Sequence, residues 1–228
     1  MQCMSALNHT TYQAAIYTFD YNLNEIQKLT TPSTAGTQIS NIQLLTVDHQ
    51  NCVTLTSCNT DYGTDISGAL SALAAGTNPI MPSPGGGTNQ QGDTPQEVIF
   101  LVTDGVEDKL VPTKTSCDAN ATYPLPTAGS KWRCQQPLDA TVCTTIKNRG
   151  IRIAILYTEY LQLPTDSWYT SKISQFNNPS SSTGTIAQRL QSCASPGLFA
   201  DVQTGGDISA ALTNLFLKVA TSTASLVQ

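Results

Sequence analysis

Residues 97–103 read Glu-Val-Ile-Phe-Leu-Val-Thr and run directly into Asp104-Gly105. A continuous apolar run of this length, without alternation, suits a strand buried on both faces, of the kind found in the centre of a parallel sheet. A second such run, Ile-Arg-Ile-Ala-Ile-Leu-Tyr at 151–157, follows a stretch, 139–148, whose pattern predicts a helix that stops at Gly150, just after Lys147 and Arg149. Strand, helix and strand in this order build a doubly wound α/β sheet. We therefore expect a mostly parallel sheet flanked by helices, in one domain over 1–228.

Working outward, residues 12–19 and 23–29 predict a strand pair around the polar turn Asp20-Tyr21-Asn22. Residues 30–37 suit a loop or helix entry, and Ile39, Ile42 and Leu45 have the spacing of a short helix within 38–48. After a polar, irregular stretch at 52–62, residues 64–75 predict a helix with Ile66, Ala69, Leu70 and Leu73 on one face. Residues 78–95 are rich in Pro and Gly and read as a loop. Residues 106–137 exceed the usual connection of about 4–6 residues, so they are expected as an exposed, disulfide-tied loop insertion. Another Ser/Thr/Asn/Pro loop is expected over 164–184, then helical turns at 186–192 and a short edge strand at 197–202. A closing helix over 207–220 is expected to bury Ile208, Leu212, Leu215, Phe216 and Val219, with Asp207 as its cap.

Composition narrows the partners. Eleven basic and sixteen acidic residues leave a net charge of −5, without the basic footprint of a phosphate-binding surface, so nucleic acid is not an expected partner. No apolar stretch approaches the roughly 20 residues needed to span a bilayer. Only 12% of residues are charged, and Ser and Thr supply much of the polarity. With seven cysteines, at 3, 52, 58, 117, 134, 143 and 193, this composition points to an oxidising, extracytoplasmic compartment. Their spacings contain no CxxC, and His9 and His49 belong to no zinc pattern, so disulfides among Cys52, Cys58, Cys117, Cys134, Cys143 and Cys193 are the expected use. The odd count leaves one thiol without an intramolecular partner.

Ligands of open α/β sheets bind beyond the carboxyl ends of the strands, which directs attention to Thr103-Asp104-Gly105 and to Gly63-Thr64-Asp65. The segments Gly63-Thr64-Asp65-Ile66-Ser67-Gly68-Ala69-Leu70 and Ile99-Phe100-Leu101-Val102-Thr103-Asp104-Gly105, in this order, resemble the von Willebrand factor type A domain. Residues 143–153, with Cys143, Ile146, Lys147, Gly150, Ile151 and Ile153, and the later Leu190, Cys193, Ala194 and Ser195 are similar to the A-type domain of the TadE/TadG-like proteins of bacterial Flp (Tad) pilus systems. The resemblance implies a Rossmann-like sheet, a Cys143–Cys193 disulfide, and a divalent cation, Mg²⁺ or Mn²⁺, on the sheet crest with Thr64 and Asp104 among its ligands. Such a cation takes about six hard oxygens, which hydroxyls and a few carboxylates supply.

The family's Asp-x-Ser-x-Ser loop is missing from the expected place. Asp65 and Ser67 spell its first half, but no apolar strand precedes them, so they rank behind Thr64 and Asp104 as metal ligands. The resemblance implies that the first strand, the metal loop and any membrane anchor lie upstream of this chain. Without that loop, Asp104 also reads as a turn former and Thr64 as a helix N-cap. Gly85-Gly86-Gly87-Thr88 lacks the lysine and leading strand of a phosphate loop and reads as a flexible connection. Trp132 is expected to pack on its own insertion rather than serve as a partner contact.

The leading expectation is a non-enzymatic, extracytoplasmic protein-binding or adhesion domain of a Tad-pilus-associated protein, touching a pilus component or surface ligand through the sheet crest. A metal-free structural A-like domain is the alternative. A metal-dependent hydrolase ranks third, because the chain has neither a Gly-x-Ser-x-Gly elbow nor paired carboxylates flanking an expected cleft.

Overall fold

The computed structural model describes residues 12–42, 63–87, 94–113, 117, 122–124, 132–178 and 185–224. Its centre is a three-stranded parallel sheet: β3 (Val98–Thr103), β7 (Arg152–Thr158) and β8 (Phe199–Val202), in the order β3-β7-β8. The register runs from Val98 opposite Arg152 to Thr103 opposite Tyr157, and from Ile155 opposite Phe199 to Thr158 opposite Val202. The middle strand is β7, whose five inner residues are all buried. The run at 98–102, expected at the sheet centre, instead forms an edge among the described residues. Its alternation of buried Ile99, Leu101 and Thr103 with exposed Phe100 and Val102 shows one face covered more fully than the other.

Helices cover both faces. On one side lie α2 (Ile66–Leu70), α3 (Ala140–Asn148) and α4 (Ile186–Cys193), whose Ile66, Leu70, Ile146, Ile186 and Leu190 meet Ile99, Leu101, Ile153 and Ile155. On the other, Leu215 and Val219 of α5 (Ile208–Ala224) pack on Ala154, Leu156 and Val202. Each fully buried branched side chain contributes roughly 1.5–3 kcal/mol. Ile208, expected on the buried face of α5, is the first residue of the helix and 48% exposed. The caps follow the sequence: Asp139 accepts from Thr141 N–H, Thr185 forms a capping box with Gln188, and Asp207 Oδ1 accepts from Ala210 N–H. Gly150 closes α3 at φ 88°.

Two smaller sheets stand apart in hydrogen bonding. β1 (Ala14–Phe19) and β2 (Leu23–Thr30) form the expected antiparallel pair, followed by α1 (Pro32–Thr37) and a 3₁₀ turn at Ile39–Asn41. The helix expected over 38–48 extends past the described residues. The described residues of the stretch 106–137, expected as a loop, are mostly strand: β4 (Val106–Val111), β5 (Thr122–Pro124) and β6 (Trp132–Pro137) form an antiparallel sheet in the order β4-β6-β5. Glu107 and Lys109 share one strand face and neutralise each other, so a charged sequence can pair as a strand with Val106, Val111, Arg133 and Cys134 buried. Trp132 is half-buried within this sheet.

The helix expected at 64–75 is α2 continued by a wider π-helical turn, Ser71–Ala75. The loop expected at 164–184 contains helical turns, Tyr169–Ile173 and Ser174–Phe176, that bury Tyr169, Ile173 and Phe176 in the core. Disulfides join Cys117, between β4 and β5, to Cys134 of β6, and Cys143 of α3 to Cys193 of α4. The second is the pair implied by the resemblance. Cys52 and Cys58 lie outside the described residues. Two disulfides fit an oxidising environment, and among the described residues no helix is long and apolar enough to cross a membrane.

Candidate site on the sheet crest

The parallel strands all point their carboxyl ends at one crest, and Asp104 is the first residue beyond β3. Its turn is built locally: Thr103 Oγ1 accepts from Gly105 N–H at 3.0 Å, and Asp104 Oδ1 accepts from Val106 N–H at 3.1 Å. Gly105 takes φ 79°, and a Cβ there would meet Ile186 and Leu190. The Asp104 residue is solvent-exposed, yet enough protein surrounds its carboxyl that desolvation raises its pKa above the ordinary 3.8, against the pull of hydrogen bonds from Val106 N–H and its own N–H.

Tyrosines frame this carboxyl. Desolvation raises the phenol pKa of both Tyr157 and Tyr160; the charge of Asp104 adds to it next at Tyr160, whereas at Tyr157 the charges of Asp201 and Glu159 come before it. Tyr157 Oη accepts from Tyr160 N–H at 3.1 Å, and Tyr160 stacks on Tyr169 with ring centres 6.4 Å apart. The chain leaving β7 then carries Leu161, 57% exposed, Leu163, and Trp168, 41% exposed. Trp168 Nε1 donates to Gln135 Oε1 at 2.6 Å, and Gln135 Nε2 donates to Asp108, which also holds Arg133 through Nε at 2.9 Å and Nη2 at 2.6 Å. The carboxyl-terminal end of the sheet and the antiparallel sheet thus share one rim.

Thr64 sits at this rim through its backbone, exchanging two 2.8 Å hydrogen bonds with Asp108. It is not the helix N-cap that the sequence offers as an alternative. Asp65 is: its Oδ1 accepts from Gly68 N–H at 2.8 Å, while its own N–H donates to Asp20 O at 2.9 Å in the β1–β2 turn. Gly63, at φ 72°, brings the chain so close to Asp108 that a Cβ would strike the Asp108 carbonyl.

Asp65 and Ser67 line a separate, open groove of about 460 Å³ between α2 and α3, with Lys109 and Thr141 on its wall. Ser67 N–H donates to Glu107 Oε1 at 2.6 Å, and Ser67 Oγ is buried without a hydrogen-bond partner. Glu107 is fully buried; Lys109 Nζ lies 2.7 Å from its Oε2 and 3.8 Å from Asp65 Oδ1. Sequence reasoning missed Glu107 because it placed 106–137 in a loop. Reading Glu107 and Lys109 as neighbours on one strand face would have found the pair.

Thr64 and Asp104 therefore flank the start of β4, and Asp65 and Ser67 face the groove beside it. Asp104 Oδ1 accepts from Val106 N–H and Asp65 Oδ1 from Gly68 N–H, and no group of three His, Cys, Asp or Glu side chains that could hold a metal occurs among the described residues. Comparison of the chain with protein-family models, curated proteins and solved structures gives no match.

Proposed function

We propose that this chain is a non-enzymatic, extracytoplasmic protein-binding domain that meets its partner on the carboxyl-terminal crest of the parallel sheet. The observation that carries this reading is the crest itself: an exposed but partly desolvated Asp104, framed by Tyr157 and Tyr160, beside exposed Leu161, Leu163 and Trp168. Exposed apolar and aromatic side chains around a few polar anchors are what protein contact surfaces use, and Trp and Tyr dominate their energetics. The resemblance to the A-type domains of TadG-like pilus proteins extends the reading to a pilus component or surface ligand as partner. It also extends it to a divalent cation shared with that partner, whose oxygens would have to supplement Thr64 and Asp104.

The metal-free structural reading has one observation in its favour, the engagement of Asp104 Oδ1 by Val106 N–H. Binding of the immobilised chain to surface proteins sheared from the producing cells, compared with a Leu161→Ser, Trp168→Ala variant, tests the crest. Weakened binding with an unchanged melt is expected; equal binding overturns it. Adding EDTA or millimolar Mg²⁺ to the same assay separates the cation-dependent form from the metal-free one.

A further inference from the structure

Glu107 has no exposed surface, and its charge plays no part at the crest. Burying an ion pair is a weak route to stability, because withdrawing both charges from water offsets most of their attraction. The groups around this carboxylate are suited instead to a reaction. Lys109, two residues on and therefore on the same face of β4, brings Nζ to 2.7 Å from Glu107 Oε2. The same Nζ lies 3.8 Å from Asp65 Oδ1, and the side chains of Lys109 and Asp65 are only 20% and 25% exposed. An amine, a carboxyl and a buried proton carrier thus meet where most water is excluded.

Both reacting segments are fixed. Thr64 and Asp108 exchange two 2.8 Å backbone hydrogen bonds, which clamp the residue before Asp65 to the residue between Glu107 and Lys109. Ser67 N–H donates to Glu107 Oε1 at 2.6 Å, and Asp65 N–H donates to Asp20 O at 2.9 Å. The Asp65 carboxyl is aimed as well: Gly68 N–H donates to its Oδ1 at 2.8 Å, and a Cβ on Gly68 would strike it. That N–H polarises the carbonyl and sits where negative charge gathers when a nucleophile adds to Cγ.

The geometry points to an intramolecular amide between Lys109 Nζ and Asp65 Cγ, with Glu107 as the proton carrier. The ammonium passes one proton through Glu107 Oε2 to Asp65 Oδ2, which leaves a neutral amine beside a neutral acid. The Nζ lone pair forms the new C–N bond, and charge moves onto Oδ1 under the Gly68 N–H. A second Nζ proton follows the first, the Cγ–Oδ2 bond breaks, and Oδ2 departs as water. The amide keeps the third proton, Glu107 ends as it began, and no oxidant or other reactant is consumed. Bulk water opposes amide formation; holding the partners in contact offsets this through effective concentrations of about 10⁵–10⁸ M. The bond ties the start of α2 to β4, apart from the crest, and it stands or falls independently of partner binding.

The intact mass of the whole purified chain, unfolded and fully reduced after incubation at neutral pH, tests it. The expected mass falls below the sequence value by one water. Chymotrypsin, which cuts at Leu70 and Phe100, is expected to release a branched peptide that joins Asp65 to Lys109. Lys109→Arg keeps a positive charge beside Glu107 and is expected to fold, show its full mass and give linear peptides. Glu107→Gln keeps the shape but carries no proton, and is expected to lower the yield of the branched peptide at least about tenfold. Full mass with linear peptides in the parent overturns the proposal. So does a water lost without a branch, as an amide to Glu107 or a ring closure at Asp104-Gly105 would give. An undiminished branch in Glu107→Gln overturns the role of Glu107.

Discussion

The backbone N–H of Ser67 donates to the carboxylate of Glu107 across 40 residues of sequence, fastening the first turn of α2 to β4 at 2.6 Å. Glu107 has no exposed surface and is neutralised by Lys109, itself 20% exposed. Removing the carboxylate leaves the Ser67 N–H without its acceptor and the Lys109 ammonium with only the more distant Asp65 carboxylate, at 3.8 Å. Glu107→Ala is expected to lower stability by about 3 kcal/mol in urea titration, and Lys109→Ala by a comparable amount, because it leaves the buried carboxylate unpaired. The double variant should cost less than the sum of the two.

Asp104 gives the protein a pH dependence of known sign. Its folded pKa is raised by desolvation above the ordinary 3.8, so the folded state holds its proton more tightly than the unfolded state. Its contribution is fully present below 3.8 and is lost as pH rises through the higher folded value. Asp104→Asn keeps an acceptor for Val106 N–H and removes the partly desolvated charge. The variant should melt above the parent at pH 7, and the difference should vanish in acid below the ordinary carboxylate value. Asp139 works in the opposite direction: hydrogen bonding from Thr141 N–H lowers its pKa, so its contribution is present above 3.8 and is lost as pH falls through the folded value. Asp139→Ala should cost about 1 kcal/mol at neutral pH, as the loss of an N-cap does.

The two disulfides should differ in their contribution. Cys143 and Cys193 close 50 residues and Cys117 and Cys134 close 17, for which chain entropy gives about 4 and about 3 kcal/mol. Paired Ser substitutions followed by urea titration check the order. The Cys143–Cys193 pair should cost more, since both of its cysteines are fully buried between α3 and α4.

Gly63→Ala should destabilise by more than an ordinary Gly→Ala change in a loop. It meets both a positive φ of 72° and the Asp108 carbonyl, and the break falls on the Thr64–Asp108 bridge. A lower melt accompanied by faster exchange of the Thr64 and Asp108 amides is the expected signature, whereas Gly197→Ala, with nothing within 4 Å, should show only the backbone penalty.

The elements that could be read from the sequence are those whose local signals agree with their packing. β7 has an unbroken apolar run, α3 has Asp139 before it and Gly150 after it, and α4 has Thr185 and Gln188 at capping-box spacing. The misreadings arose where tertiary partners override local pattern. In β4, Glu107 and Lys109 look like loop residues until their mutual neutralisation is seen; at 169–176, three buried side chains sit in a segment whose composition is polar. For the candidate site, the sequence placed Asp104 directly after a strand and Thr64 at the start of a helix. It did not place Tyr157, Tyr160 and Trp168 around them, because those residues converge from β7 and the chain beyond it only after the sheet has formed.

The bond between Cys143 and Cys193 has a mechanical consequence. β7 and the helical turns at 169–176 lie inside the loop it closes. Tension applied to the two ends of the oxidised chain therefore passes through sulfur and bypasses β7. The loop closed by the cysteines, with a sequence separation of 50 and worth about 170 Å of extended chain, cannot pay out until that bond is reduced. The chain under pull would thus keep β7 shielded from the load, and single-molecule stretching should show the hidden length only in the presence of a reductant.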